Sequence, residues 1–307
     1  MDASIVICTY QRADSLNITL GCLAAQRVPE EFAWEVLVVD NNSTDHTRAT
    51  VDGWETRLPN LRYLFEPRQG LSHARNLGIK ESQGKYLLFT DDDVCPAPDW
   101  LSRMVQAMEH TGCAAAGGYI APDWERPPPA WLTPRFYGFL ALKIEQGEPH
   151  PLKADDPLPF GANMAFRRNL FDQIGVFDIH RGRQGKTLAS GEDGELFQRI
   201  LAAGLPVWYF PQARVRHRIE GFRLRRRYFW RWRYHTSRNL ALTHGVPSGR
   251  KIGGIPLYLV PQTLRAFVRA LAAPLAVPGD EAVHRQMMLA HFLGTLAGLR
   301  QRAKVTT

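Results

Sequence analysis

The sequence predicts an α/β protein with a mostly parallel central sheet flanked by helices, followed by a helical C-terminal extension. Two observations carry this reading. Over the first hundred residues short apolar runs alternate with amphipathic stretches, which is the pattern of repeated strand–helix–strand units joined by right-handed crossovers. Past residue 220 the strand pattern stops and helical spacing takes over, dividing the chain into a body at 1–220 and a helical region at 221–307. With 307 residues, 45% of them hydrophobic and 22% charged, there is chain enough for a sizeable core. That balance excludes a disordered tail, a coiled coil and a disulfide-stapled miniprotein.

Taken in order, Ser4–Cys8 reads as a buried strand, and a helix follows from Asp14 with Leu16, Leu20 and Leu23 on one face. Val36–Val39 is the second strand, and Ser43 or Thr44 after it can cap a helix. Leu61–Phe65 is the third strand, Leu71–Ser82 a helix, and Tyr86–Phe89 the fourth strand. Then come a helix at Trp100–His110, a strand at Ala114–Ile120 and a Pro- and Trp-rich loop at Pro122–Pro134. Ala162–Phe166, Val207–Phe210 and Arg214–Val215 read as strands, and Gly194–Ala203 as a helix. In parallel sheets ligands bind beyond the carboxyl ends of the strands. Three strands deliver polar clusters there: Thr9 to Arg12, Asp40 to Asp45, and Asp91 to Asp93.

The formal charge of +8 is concentrated in one place. Arg214 to Arg238 holds ten arginines and one acid, Glu220, whereas the rest of the chain carries 28 basic and 29 acidic groups. Outside that segment the chain is therefore near neutral. Four cysteines, Cys8, Cys22, Cys95 and Cys113, show neither Cys-x-x-Cys pairing nor metal-ligand spacing, and read as reduced structural thiols. The apolar run Ile5–Cys8 is too short for a secretory leader, so a cytoplasmic location is expected.

Consecutive carboxylates at a buried strand end repel one another, and a divalent cation removes that cost. Hard oxygen ligands suit Mg²⁺ or Mn²⁺, whose usual partner is a di- or triphosphate. The plainer alternative for Asp91-Asp92-Asp93 is a solvated turn that caps the next helix. A Walker loop is rejected, because Gly185-Lys186-Thr187 has His180 where the first glycine belongs and no strand before it. No Gly-x-Gly-x-x-Gly follows the first strand either, which counts against a dinucleotide.

Ile7-Cys8-Thr9-Tyr10-Gln11-Arg12 and Val38-Val39-Asp40-Asn41-Asn42-Ser43-Thr44-Asp45 resemble the opening of family 2 glycosyltransferases of GT-A fold. Gly70 to Ile79 and Phe89-Thr90-Asp91-Asp92-Asp93 resemble the next two family motifs. Gly161 to Phe166 and Gly191-Glu192-Asp193-Gly194-Glu195 resemble acceptor-side motifs of members that build bacterial polysaccharides. The resemblance spans residues 4 to 220 with its motifs in family order.

What it implies is a metal-dependent, inverting sugar transfer from a nucleotide-sugar donor, a UDP-sugar being slightly favoured. The acceptor would be a saccharide or a polyprenyl-linked sugar in cell-surface polysaccharide or glycolipid synthesis. Thr9, Tyr10, Arg12, Asp40, Asn42, Arg75, Asp91 and Asp92 would border the donor, with Asp40 accepting from the base. Asp93, Asp91 and His217 would hold Mn²⁺ or Mg²⁺. Asp193 would be the base on the acceptor hydroxyl, with Glu192 the second choice. Trp131, Gly161 and Asn163 are the candidates for the sugar or acceptor. A helix cap needs only one of the three acids between Gly191 and Glu195.

Arg223 to Leu240 reads as a helix with Arg223, Arg227, Arg231 and Arg238 on one side and Tyr228, Phe229 and Trp232 on the other. Arginines interleaved with aromatics suit anionic lipid headgroups or a lipid-linked pyrophosphate, and also describe single-strand nucleic-acid binders. Ile255–Val277 is apolar but broken by Gln262, Arg265 and Arg269, so it does not read as a membrane span. With Arg214–Arg238 it is expected to make peripheral contact with the inner face of the cell membrane. Ala282–Leu299 reads as a last helix. Two competing readings remain at this point. A sugar-phosphate nucleotidylyltransferase would need a Gly-rich phosphate loop where Thr9-Tyr10-Gln11-Arg12 stands. A nucleic-acid binder acting through Arg214–Arg238 would leave the acidic clusters without a role, so nucleic acid is not expected as a partner.

Overall fold

The computed structural model describes all residues except 59, 184–190, 248, 253 and 307, and only the backbone of 304–306. The chain forms two compact units. The first comprises Met1–Asp123, Ala141–Gly185 and Gly191–Arg218, and the second includes Trp124–Leu140 and Ile219–Thr307.

The first unit starts with β1 (Ala3–Thr9), α1 (Ala13–Ala24), β2 (Trp34–Asp40), α2 (Thr47–Asp52), β3 (Leu61–Phe65) and α3 (Leu71–Glu81). It continues through β4 (Tyr86–Asp91), β5 (Val94–Pro96), α4 (Trp100–Thr111), β6 (Ala115–Trp124), β7 (His150–Pro151) and β8 (Met164–Arg167). The short α5 (Leu170–Ile174), α6 (Glu192–Ala202) and β9 (Val207–Ile219) complete it. The strands form one sheet in the order β3-β2-β1-β4-β8-β6-β9-β5, with β7 on β9. Its β3-β2-β1-β4 half is parallel, and β8 runs antiparallel to both β4 and β6. β1 and β2 are almost wholly buried, as continuous apolar strands covered on both faces should be. Register fixes the functional edge, because Thr9 pairs with Asp40 and Cys8 with Asp91.

Several elements differ from the sequence reading. β5 is only three residues long, too short for a periodic signal. β9 is continuous across Pro211, where the sequence suggested two pieces. β6 extends to Trp124, inside the expected loop, and a 3₁₀ turn spans Pro134–Leu140. Neither Ser43 nor Thr44 caps α2; the Asp45 carboxylate accepts from the Thr47 amide instead, at 3.2 Å. The cysteine expectation fails for one pair: Cys22 and Cys95 form a disulfide. They lie 73 residues apart, and tertiary packing of α1 beside β5 brings them together, which no local spacing reports. Cys8 and Cys113 are free thiols. Lys186 and Thr187 of the rejected Walker pattern, with Gly185, lie outside the described residues.

In the second unit α7 (Arg226–Thr243), α8 (Leu259–Ala276) and α9 (Gly279–Thr306) pack together. A Cβ on Gly294 or Gly298 of α9 would strike the Tyr234 or Arg238 carbonyl of α7, so these glycines permit close backbone approach. Phe229 of α7 stacks edge-on with Trp131, Phe136 and Phe139. The aromatic side of the basic helix is thus buried, while Arg227 and Arg231 are exposed. Arg223 precedes the helix, in a 3₁₀ turn, and is buried over Tyr228.

Candidate active site

At the carboxyl edge of the parallel strands, Asp40 is buried and accepts from the Ser43 amide (2.8 Å) and the Tyr63 hydroxyl (2.7 Å). Two bonds leave lone pairs on this carboxylate for a base edge. Asn41, also buried, donates to the Glu66 and Arg68 carbonyls at 3.1 and 2.7 Å and accepts from the Gly70 amide at 2.8 Å. It ties the end of β2 to the start of α3. Asn42 is exposed and left-handed, at φ 69°. Gln11, also left-handed, joins the first loop to the second through Ser43 (2.9 Å) and Thr44 (2.7 Å). Tyr10, just before Gln11, is half-buried.

The acidic triplet is held by specific partners. Thr9 donates to Asp92 at 2.8 Å, and the Arg12 guanidinium spans Asp92 and Asp93 at 3.1 Å each. Burial pushes the Asp92 carboxyl up to about 7, and the neighbouring Asp93 charge adds to this against the pull of Arg12. His217 Nε2 lies 3.2 Å from Asp93 Oδ1, both side chains being buried. Alternation along β9 explains the placement: Val215, His217 and Ile219 face inward while Arg214, Arg216 and Arg218 are exposed.

Arg75 is the hub. Only 3% exposed, it lies on α3 with Nη1 3.0 Å from Glu192 and in closer contact with Asp193, and Nη2 3.9 Å from Asp91. Its guanidinium also sits 5.2 Å from the Phe177 ring centroid. A lone arginine on a helix is usually solvated; here it is buried among three carboxylates. Glu192 and Asp193 occupy the first turn of α6, which begins two residues earlier than expected. Asp193 accepts from the Gly161 amide at 2.8 Å. A Cβ at Gly161 would collide with Arg75, so glycine is required for this approach. Glu192 Oε2 is buried with no hydrogen-bond partner among the described residues. Burial, reinforced by the Asp193 charge, raises the Glu192 carboxyl to about 7 despite Arg75.

Asn163 is buried, and its carboxamide is engaged by protein groups: Trp100 donates to it at 2.8 Å, and it donates to the Tyr119 and Ala213 carbonyls at 3.1 and 2.8 Å. It braces β6, β8 and β9. Trp131 belongs to the second unit, in the aromatic cluster with Phe229. Asn41, Tyr63, Glu66 and Phe177 escaped sequence reasoning. Only Asn41 carried a signal, as a member of the polar cluster Asp40 to Asp45 beyond a buried strand.

The donor chemistry of Asp91, Asp93 and His217, two carboxylates and an imidazole, fits a divalent cation such as Mn²⁺. Among the described residues, however, no three His, Cys, Asp or Glu side chains converge on one point, and Arg12 and Arg75 engage the carboxylates instead.

The family and relatives that the chain matches make it a glycosyltransferase, and the solved structures it resembles share its GT-A sheet, with the acidic triplet at the carboxyl edge of that sheet. Residues 4–175 match the family described as glycosyl transferase family 2, more than half of the chain, and the protein belongs to that family. It is 28% identical over 305 residues to the succinoglycan biosynthesis protein ExoM of Rhizobium meliloti, covering 97% of this chain and 93% of that protein. It is 30% identical over 228 residues to a glucosyl-dolichyl phosphate glucuronosyltransferase of Haloferax volcanii, covering 73% and 71%. The mannosyltransferase PcManGT of Pyrobaculum calidifontis, solved with GDP-Man and Mn²⁺, aligns at a TM-score of 0.62 and 19% identity. That alignment covers 98% of this chain and 86% of that one, and shows the shared fold. Family membership sets aside the nucleotidylyltransferase and non-enzymatic readings.

Proposed function

We propose that the chain transfers a sugar, with inversion, from a nucleotide-sugar donor to a saccharide or polyprenyl-linked acceptor. The product would serve cell-surface polysaccharide or glycolipid synthesis. Residues 1–220 carry the reaction and 221–307 serve peripheral contact with the inner face of the cell membrane. One observation supports this most: Arg75 joins Asp91, at the end of β4, to Asp193, at the start of α6, so donor-side and acceptor-side acids share one site. The names of the relatives, a succinoglycan biosynthesis protein and a glucosyl-dolichyl phosphate glucuronosyltransferase, agree with such acceptors.

In this reading Thr9, Tyr10, Arg12 and Asn42 border the nucleotide, and Asp40 accepts from its base. Asp91, Asp93 and His217 would hold Mn²⁺ or Mg²⁺, which when bound supplies charge stabilisation to the leaving diphosphate. That PcManGT was solved with Mn²⁺ supports a cation in this reading. Asp193 takes the proton of the acceptor hydroxyl as that oxygen bonds to the anomeric carbon. The sugar–phosphate bond breaks on the opposite face, its electron pair leaving with the nucleoside diphosphate. Arg75 and the Gly161 amide keep Asp193 oriented until then.

Release of nucleoside diphosphate from a panel of UDP- and GDP-sugars, with polyprenyl-linked and free saccharide acceptors and Mn²⁺, tests the reading. Acceptor-dependent release by the wild type, lost in Asp193→Asn with donor affinity kept, is expected. Transfer retained in Asp193→Asn would remove Asp193 from the base role.

A further inference from the structure

The helical unit carries a surface that the transfer reaction does not use. α8 turns Ala266, Ala270 and Ala273 toward its neighbours, small side chains that let the helix pack closely. The other side holds Val260, Leu264, Phe267, Val268, Leu271 and Leu275, all exposed; Leu264 is 63%, Leu271 65% and Leu275 96% exposed. These positions recur every three or four residues and form one apolar stripe along a helix of 18 residues, about 27 Å long. Isolated exposed apolar residues need no explanation, but six in one continuous stripe mark an interaction surface. Ile252, Leu257 and Tyr258 extend the exposed apolar surface just ahead of the helix.

Charge decides what covers the stripe. From Gly221 to Gly279 the sequence has eleven basic residues and no Asp or Glu. Arg265 and Arg269 follow the stripe on one of its borders, and the exposed Arg250 and Lys251 precede the helix. A second copy of this chain would pair the face with itself about a two-fold axis, setting arginines against arginines with no carboxylate from the segment to neutralise them. Nucleic acid would satisfy the arginines but leave six apolar side chains wet. Acyl chains below a layer of anionic headgroups satisfy both. No described helix is long and apolar enough to cross a bilayer, so the stripe fits a helix lying in the interface plane.

We infer that α8 is the membrane-seating element: its Val260–Leu275 stripe enters the acyl boundary of an anionic bilayer while Arg265 and Arg269 meet the lipid phosphates. This sharpens the peripheral contact proposed above, and rests on that part of the reading alone.

Flotation of the full chain with phosphatidylcholine vesicles, and with vesicles containing about one third phosphatidylglycerol, tests it. The wild type should float with the anionic vesicles and be released by salt. L264Q/L271Q should lower the bound fraction at least about tenfold, since two buried apolar side chains would be lost from the acyl boundary. R265Q/R269Q should weaken binding several-fold and reduce its salt dependence. L275Q, at the most exposed position, cannot disturb packing and should weaken binding a few-fold, which keeps the test decisive if the double variant misfolds. Wild-type protein that ignores anionic vesicles, or leucine variants that float like the wild type, would overturn the inference. So would a wild-type dimer in sedimentation that L264Q/L271Q dissolves, because a second copy would then cover the stripe. Nucleoside diphosphate release with a soluble acceptor is read separately, so failure of membrane seating and failure of the transfer reading are distinguishable.

Discussion

Arg75 holds Asp91, Glu192 and Asp193 around one buried guanidinium, and removing it would leave carboxylates buried without a counter-charge. Arg75→Ala is expected to destabilise the fold by about 3–5 kcal/mol, measurable by urea unfolding. Arg75→Lys should also lose activity, because a single ammonium cannot reproduce the guanidinium fork. Glu192 sets a pH dependence. Its carboxyl moves from an ordinary 4.5 to about 7 on folding, so the folded state holds the proton more tightly than the unfolded one. Stability of the metal-free protein should therefore fall as pH rises from 4.5 toward about 7. Asp92, raised in the same direction, adds to that slope. Glu192→Gln should flatten the melting temperature across this window; an unchanged slope would place the proton elsewhere. The acids of this cluster were legible from motif order. Their common link to Arg75 was not, because positions 75, 91 and 192 meet only through tertiary packing.

At the level of elements, β1, β2, β3, β4, α3 and α4 were legible because each is long enough to show its period. β5 was not: three residues give no period, yet it pairs with β9 and sets Val94 against His217. The Cys22–Cys95 disulfide was hidden for a related reason, since it depends on how α1 and β5 pack. Glycines carry two element-scale predictions. Gly161→Ala, in the 3₁₀ turn just before β8, pushes a methyl into Arg75 and should cut transfer at least about tenfold while the fold survives, as kinetics and circular dichroism can check. Gly298→Ala would press the α9 backbone away from the Arg238 carbonyl of α7 and cost about 1–3 kcal/mol in thermal unfolding. The period of α8 was legible in the sequence, but which of its faces is covered was not, because that depends on where α9 packs.

For the whole molecule, the +8 of the chain is unevenly spent. The sheet body, residues 1–220, carries 23 basic and 28 acidic groups, whereas the helical stretch from Gly221 to Gly279 carries eleven basic groups and no carboxylate. An anionic donor approaching clustered aspartates needs a cation to bind at all. The most direct measurement is therefore a thermal-shift titration of the full protein with nucleoside diphosphates, with and without Mn²⁺, for the wild type and Asp93→Ala. We predict a rise in melting temperature only when nucleotide and Mn²⁺ are both present, and its loss in Asp93→Ala. Equal stabilisation in the presence of EDTA, or stabilisation by single-stranded nucleic acid and by no nucleotide, would contradict the account.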